Sequence, residues 1–204
     1  QAGCRRYSPD YRTIPQQGMK DLSLHLLDIA QNSIKAAATL VRIHLEYHEG
    51  RLRFIIADNG CGMGQEMLEK VTDPFTTTRT TRKVGMGLPL LKLSAEMTGG
   101  SLAISSQKGK GTTVTAEFVA DSIDRIPVGD MEETMKVLVQ AHPELDFEIL
   151  FSNEINKYEL KTMEIKKVLN GVPICSPDIV QWIGQSIQEG MKEIFGGVLN
   201  EITG

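Results

Sequence analysis

Two side chains with oxygen ligands lie four residues apart in a segment of helical periodicity. Asp28 and Asn32 fall within residues 21–40, where apolar residues recur at three- and four-residue spacing, so both lie on one face of the predicted helix. Mg²⁺ takes such oxygen ligands together with substrate phosphates, and a carboxylate can also deprotonate a nucleophile. Taken alone, the pair is explained more often by an Asp that faces solvent and an Asn with local hydrogen bonds.

A glycine-rich loop at 58–64, Asp-Asn-Gly-Cys-Gly-Met-Gly, follows a predicted strand at 51–57. Glycines let a backbone approach a ligand closely and take positive φ. Asp58, at the end of a buried strand, can accept a hydrogen bond from an exocyclic amine, which would select adenine over guanine. Turns of this composition are common, so the motif is not specific by itself.

A second glycine pair, Gly85-Met86-Gly87-Leu88, opens a predicted helix at 88–98. Backbone N–H groups and the positive end of the helix dipole form an anion site at such a position. Arg79, Arg82 and Lys83 lie just before it and either add positive charge at the phosphates or belong to a solvated loop. The residue types leave both readings open.

The segment 72–87 between the glycine motifs has no hydrophobic periodicity, so we expect it to be mobile. Phe75, within Asp-Pro-Phe-Thr-Thr-Thr, is expected to anchor one end of this segment in the core. Further along, Gly-Lys-Gly-Thr at 109–112 is a hairpin turn by composition, and its Thr112 is a candidate for the adenine side of the site.

Composition places the chain among ordinary globular proteins of one full domain with an appendage, or of two small domains. It has 204 residues, 41% of them hydrophobic and 24% charged, with a net charge of −4, which indicates neither a general nucleic-acid binder nor a membrane binder. No apolar stretch is long enough to span a bilayer. The three widely separated cysteines argue against a disulfide framework and favour a cytoplasmic location.

Periodicity and turn residues divide the chain into three parts. Residues 1–18 read as a leader or an artificial addition, 19–120 as the main domain, and 121–204 as an extension without a chemical motif. Predicted helices and strands follow one another in the order helix 21–40, strands 41–48 and 51–57, helices 65–71 and 88–98, strands 101–106 and 112–119, helix 131–141, strand 145–151, helices 160–169 and 178–195.

The order of these motifs resembles the GHKL ATPase superfamily, which includes sensor histidine kinases, type II topoisomerases, MutL proteins and anti-sigma-factor serine kinases. The resemblance covers residues 20–119 and includes all four nucleotide-binding boxes. It implies an α+β fold: a two-layer α/β sandwich with a mixed sheet and helices on one face, followed by a small C-terminal α/β extension. It also implies ATP and Mg²⁺ as cofactors.

The resemblance assigns roles to individual residues. Asn32 matches the family's Mg²⁺ ligand, Asp58 the adenine-reading carboxylate, and Lys35 a position that can touch a phosphate. Residues expected to bind the nucleotide are Asn32, Lys35, Asp58, Gly60, Gly62, Met63, Phe75, Thr77, Thr78, Arg82, Lys83, Gly85, Met86, Gly87, Leu88 and Thr112.

Asp28 departs from the family pattern and is our candidate catalytic residue. Gyrase-like, MutL-like and serine-kinase members carry Glu four residues before the Asn, whereas many histidine kinases carry Asn or another residue there. An acid here suits activation of a hydroxyl or of water more than attack by an imidazole, although it is one methylene shorter than Glu. His25, three residues earlier, is expected to be a surface or supporting residue rather than a phosphoacceptor.

The resemblance therefore implies a stand-alone, Mg²⁺-dependent protein kinase that phosphorylates a separate partner protein. About twenty residues precede the ATP domain, too few for the helical hairpin that carries the acceptor of a histidine kinase. The alternative is an ATP-driven conformational switch, an ATPase without a phosphoprotein product. Partners are expected to be a protein rather than nucleic acid or membrane, and a homodimer is left open.

Overall fold

The structure, a computed structural model, describes residues 20–71 and 87–196. Along the chain the elements are α1 (Leu22–Lys35), β1 (Leu40–His48), β2 (Arg51–Asp58), α2 (Gln65–Val71), α3 (Gly87–Met97), β3 (Ser101–Gln107), β4 (Gly111–Val119), α4 (Met131–Ala141), β5 (Asp146–Ser152), β6 (Lys157–Lys161), α5 (Thr162–Val168) and α6 (Pro177–Phe195).

Helix α1 begins at the predicted cap and ends earlier than predicted. The Asp21 carboxylate accepts from the Leu24 N–H at 2.9 Å, as an N-cap does. The prediction of a helix to residue 40 was wrong, because the carbonyl of Ala36 accepts from the Cys61 N–H at 2.8 Å instead of continuing the helix. Ala37 then takes a positive φ of 57° and turns the chain into β1.

The six strands form one mixed sheet in the order β3-β4-β2-β1-β5-β6. The pairs β1–β2, β2–β4 and β3–β4 are antiparallel, which confirms the two predicted hairpins. β5 adds to the outer side of β1 in parallel, with Ile43 beside Ile149, and β6 adds antiparallel to β5. Residues beyond 120 therefore continue the sheet of the nucleotide half.

The core lies on one face of this sheet. Along each central strand alternate residues are buried, as in Val41, Ile43 and Leu45 of β1, and they meet the apolar faces of the helices in one hydrophobic cluster. Strand residues on the other face are mostly partly exposed. This two-layer arrangement confirms the predicted α+β fold class and its C-terminal α/β extension.

The extension is tied to α1 as well as to β1. The connection at 121–130 runs past the start of α1, where the Leu22 and Ser23 N–H groups donate to the carbonyls of Pro127 and Val128. Helix α4 packs against both α1 and α6. The domain boundary at residue 120 stays a prediction, but the chain crosses it within a single hydrophobic core.

Strand β6 was not predicted, because Lys157–Lys161 has few apolar residues and overlaps the predicted helix at 160–169. Its conformation follows from pairing with β5, and α5 then begins at Thr162. In the described part of the chain, no helix is both long and apolar enough to cross a membrane. Cys61 is exposed and free, whereas Cys175 is disulfide-bonded, contrary to the expectation from cysteine spacing.

Candidate functional site

Asp58 ends β2 with both carboxylate oxygens already oriented. Oδ1 accepts from the Gly60 N–H at 2.8 Å, and Oδ2 accepts from the Ser33 hydroxyl of α1 at 2.9 Å. A carboxylate oxygen has two lone pairs, so each retains capacity for one further donor. The half-buried carboxylate is thus fixed in direction and still able to accept from an amine of a ligand. Sequence reasoning missed Ser33, whose only signal is its position beside Asn32.

The glycine loop after Asp58 is packed between the end of α1 and the β3–β4 turn. Cys61 donates through its N–H to Ala36 and accepts from the Gly109 N–H at 2.7 Å. A Cβ at Gly60 would lie 2.8 Å from the Ala36 carbonyl oxygen, and one at Gly62, where φ is +61°, would overlap the Gln107 carbonyl. Only glycine fits at these two positions, because the backbone of the loop lies against the backbone at Ala36 and Gln107.

Thr112 lies directly beside Asp58, because the two residues are partners in the β2–β4 register. The Ser106 hydroxyl lies 2.9 Å from the Thr112 hydroxyl and accepts from the Met63 N–H at 2.8 Å. Ser106, which sequence reasoning did not single out, thus links two predicted nucleotide residues, Met63 and Thr112, beside Asp58.

Asn59 is a third residue missed by sequence reasoning. Its Oδ1 accepts from the N–H groups of Thr39 and Leu40 at 2.9 and 3.0 Å, and its Nδ2 donates to the Thr39 hydroxyl at 2.8 Å. These bonds hold the connection between α1 and β1. The side chain therefore fixes where α1 ends relative to the loop, and the available signal was an Asn within a tight turn.

Asp28, Asn32 and Lys35 follow one another along α1 beside the loop. Asn32 and Lys35 are exposed, whereas Asp28 is partly buried and its Oδ2 makes no hydrogen bond. Burial raises the pKa of the Asp28 carboxyl above its usual value of 3.8, and the positive charge of Lys35 opposes that rise. Asp28 and Asn32, which were expected to share a helix face, therefore present a carboxylate oxygen without a hydrogen bond and an exposed amide one turn apart.

Gly87, the first residue of α3, lies against Asp28. A Cβ at Gly87 would overlap Asp28 Oδ2, so only glycine fits here. Burial lowers the pKa of the His25 ring to about 4, and a hydrogen bond with the backbone of Gly87 opposes that shift. Leu88, the next predicted residue, is half-buried in the first turn of α3. Gly87 thus brings the start of α3 into contact with Asp28 of α1.

The remaining predicted residues lie outside the described ones. They belong to the segment 72–86 and are Phe75, Thr77, Thr78, Arg82, Lys83, Gly85 and Met86, together with Arg79. Among the described residues, no group of three or more His, Cys, Asp or Glu side chains could hold a metal ion by itself. A magnesium ion here would depend on the Asn32 oxygen and on oxygens of a ligand.

The family model described as histidine kinase-, DNA gyrase B-, and HSP90-like ATPase matches residues 19–122, about half of the chain. The chain belongs to this family. Residues 19–122 are therefore an ATP-binding domain of the histidine-kinase-like type, and the loop at Asp58 and the start of α3 are parts of it. This finding confirms the superfamily inferred from the motifs.

Curated relatives are similar to this domain and extend well beyond it. The histidine protein kinase DivJ of Caulobacter vibrioides is 30% identical over 99 residues, covering 46% of this chain and 17% of the kinase. Sporulation kinase D of Bacillus subtilis is 33% identical over 92 residues, covering 44% of this chain and 18% of the kinase. The chain thus spans less than a fifth of the length of either protein.

Similar solved structures include the catalytic domain of the histidine kinase ThkA, with a TM-score of 0.38 and 25% identity over 47% of this chain and 64% of that one. The N-terminal domain of a DNA repair protein has a TM-score of 0.45 and 17% identity, and covers 70% of this chain and 53% of that chain.

Proposed function

We propose that this protein binds ATP with Mg²⁺ and transfers the γ-phosphoryl group to a hydroxyl group of a separate partner protein. Asp28 would act as the general base, Asn32 would hold the metal ion, and Asp58 would select adenine. Backbone N–H groups at the start of α3 would bind phosphate oxygens, since a helix N-terminus favours anions. Lys35, exposed one turn beyond Asn32, adds a cation on the same side.

The observation that carries the proposal is the state of the Asp28 carboxylate. Its Oδ2 is buried without a hydrogen-bond partner and lies against Gly87, the first residue of the helix that opens at the second glycine motif. A partly desolvated carboxylate of raised pKa accepts a proton more readily than an exposed one. Base and predicted phosphate site are therefore in contact.

Magnesium fits the residues present, although none of them forms a closed metal cage. Asn32 presents an exposed amide one turn from Asp28, and Mg²⁺ commonly uses one or two protein oxygens with phosphates and waters completing its shell. When bound, the ion would neutralise charge on the phosphates. Asn32 would orient it from α1, while Asp28 remains available to the nucleophile.

The acceptor class follows from the base. A neutral imidazole is nucleophilic without help, whereas a serine or threonine hydroxyl must lose its proton as it attacks. The relatives named above are histidine kinases, but this chain covers less than a fifth of each and Asp28 is an acid. Phosphoryl transfer to a hydroxyl group uses the Asp28 carboxylate as a base, and transfer to histidine does not need it.

A transfer assay tests the proposal. The purified chain is incubated with γ-labelled ATP, Mg²⁺ and candidate proteins encoded beside it, and label is followed in protein and as free phosphate. We expect an acid-stable, alkali-labile phosphoprotein with the native chain and almost none with Asp28→Asn. Acid-labile label would indicate histidine as the acceptor and contradict the proposal. Free phosphate without labelled protein would favour the ATP-driven switch, in which Asp28 activates water.

A further inference from the structure

The two edge strands of the sheet differ in charge. Among the described residues, β3 ends the sheet on one side and β6 on the other. Strand β6 carries Lys157, Glu159 and Lys161, and charged side chains, lysine above all, discourage another strand from pairing with an edge. Strand β3 has seven residues, Ser-Leu-Ala-Ile-Ser-Ser-Gln, and none of them is charged or is proline. Strand β3 therefore lacks the protection that β6 has.

The helix above β3 exposes apolar side chains on its outer side. Helix α3 packs against α1, β3 and β4, and its residues Leu91 and Ala95 are buried. Leu93 and Met97 lie on the opposite side of the helix and are 54% and 58% exposed. Since α1 flanks α3 on the inner side, Leu93 and Met97 face away from α1, toward the side where the sheet ends.

The sheet layer is open on the same side. Leu102 and Ile104 of β3 pack against the core but are only partly buried, since the described sheet ends at their strand. We call Leu93 and Met97 of α3, together with Leu102 and Ile104 of β3, the β3 margin. The helix layer and the sheet layer thus both leave apolar surface uncovered beside an unprotected strand edge.

The charges beside the β3 margin suit a second copy of the same chain. Lys92 and Glu96 lie one turn apart on α3, with side chains 38% and 52% exposed. A two-fold axis reverses the direction of the facing helix, so Lys92 of each chain approaches Glu96 of the other. Two β3 strands related by this axis run antiparallel, and because neither is charged, no like charges lie opposite each other. The surface is therefore complementary to itself.

We propose that the protein forms a two-fold symmetric dimer in which β3 pairs antiparallel with β3 of a second copy and the two β3 margins pack together. The two sheets would become one continuous sheet, with α3 against α3 in the layer above it. An extended peptide of another protein would satisfy the edge of β3 but would leave Leu93 and Met97 exposed, whereas a second copy covers both layers. None of the pairing residues takes part in the proposed phosphoryl transfer.

A mixing experiment with charged variants tests the strand pairing. Ala103 and Ser105 are exposed on β3, so Ala103→Lys with Ser105→Lys adds charge at the edge without disturbing the core. Like charges across the axis should weaken self-association about tenfold, as measured by analytical ultracentrifugation over a range of concentrations. Ala103→Glu with Ser105→Glu should do the same. An equimolar mixture of the two variants should form a heterodimer at least as tight as the native dimer, which also shows that both variants fold.

The matched control is Glu159→Lys on the opposite edge strand, β6, because it changes the net charge by as much as the two added lysines do. It should leave the dissociation constant of the dimer unchanged. Leu93→Gln with Met97→Gln tests the helix layer at two exposed positions. This variant should weaken the dimer and leave the stability of the monomer close to that of the native chain, since exposed positions contribute little to folding.

The association of the native chain decides the proposal. A native chain that sediments as a monomer at every concentration would overturn it and leave the edge of β3 to a strand of another protein. Self-association that Glu159→Lys weakens as much as the paired lysines do would place the interface elsewhere. A dimer unaffected by Leu93→Gln with Met97→Gln would contradict the packing of the β3 margins. All of these measurements are made without ATP, so they are independent of the proposed kinase reaction.

Discussion

The Ser33 hydroxyl donates to Asp58 Oδ2 at 2.9 Å and thereby joins the helix that carries Asp28 to the strand that ends at Asp58, the predicted adenine-reading carboxylate. The same hydroxyl lies 3.2 Å from the carbonyl oxygen of Ile29, one turn earlier in α1. One buried hydroxyl therefore aligns the two halves of the site.

We predict that Ser33→Ala weakens nucleotide binding about three- to tenfold, because Asp58 loses a donor that fixes its direction. Calorimetry with a non-hydrolysable ATP analogue measures the change. Ser23→Ala is the matched control: Ser23 is also buried in α1, but its hydroxyl bonds to the Asp21 cap, so stability should fall and affinity should not. Equal affinities for Ser33→Ala and native protein would contradict the assignment.

We predict that Asp28→Asn lowers the catalytic rate about 10²- to 10⁴-fold, the usual contribution of a general base. The native rate should rise with pH through the raised pKa of Asp28, since only the ionised carboxylate accepts a proton. A pH–rate profile measures this dependence. Asp21→Asn is the control, because Asn also caps helices and Asp21 lies outside the site, so its profile should match the native one.

Asp28→Asn, which should lower the catalytic rate, should raise the stability of the folded protein at neutral pH. The folded state holds the Asp28 proton more tightly than the unfolded state, so native stability falls as pH rises through the window above 3.8. Asp28→Asn removes this loss and should raise the Tm at pH 7 but not below pH 3.8. A Tm at pH 7 no higher than that of the native protein would show that the carboxylate is not desolvated.

Those features of the fold that depend on local sequence could be predicted. The cap at Asp21 and the apolar spacing gave α1, and alternation with tight turns gave both hairpins. Features decided by tertiary contacts could not. Asn59 and Cys61 take the backbone partners that would have extended α1, and pairing with β5 makes a strand of Lys157–Lys161 despite its polar composition.

The candidate site divides in the same way. Asp58, Gly60, Gly62 and Thr112 were predicted from motifs, and the structure brings them together at the β2–β4 pair and its loop. Their roles in nucleotide binding stay predictions. Ser33 and Ser106 carry no motif, because a serine becomes part of such a site only through what the fold places beside it.

We predict that Gly111→Ala destabilises the protein more than Gly109→Ala does. Both glycines have positive φ, +112° and +78°, which costs an alanine about 1–2 kcal/mol. A Cβ at Gly109 meets nothing within 4 Å, whereas one at Gly111 would overlap the backbone carbonyl of Asp58. Chemical denaturation measures both, and Gly111→Ala should also lose nucleotide affinity. Equal losses of stability would mean that the turn adapts and that the close approach is not required.

We predict that Phe147→Ala, in β5, lowers the free energy of unfolding by about 3–5 kcal/mol and destabilises the nucleotide half together with the extension. Phe147 is 0% exposed and lies beside Val41 of β1 within the shared core. Leu150→Ala is the control on the same strand, since Leu150 faces the partly exposed side of the sheet and should cost much less.

Two probes report on the two halves during unfolding of these variants. Trp182 of α6 is the single tryptophan of the chain and reports on the extension, and amide exchange in β1 reports on the nucleotide half. A continuous sheet predicts coincident transitions in the native protein and in both variants, with ATP raising the midpoint of each probe. If Phe147→Ala unfolded at Trp182 while β1 stayed protected and bound nucleotide, residues 121–196 would be a separable unit.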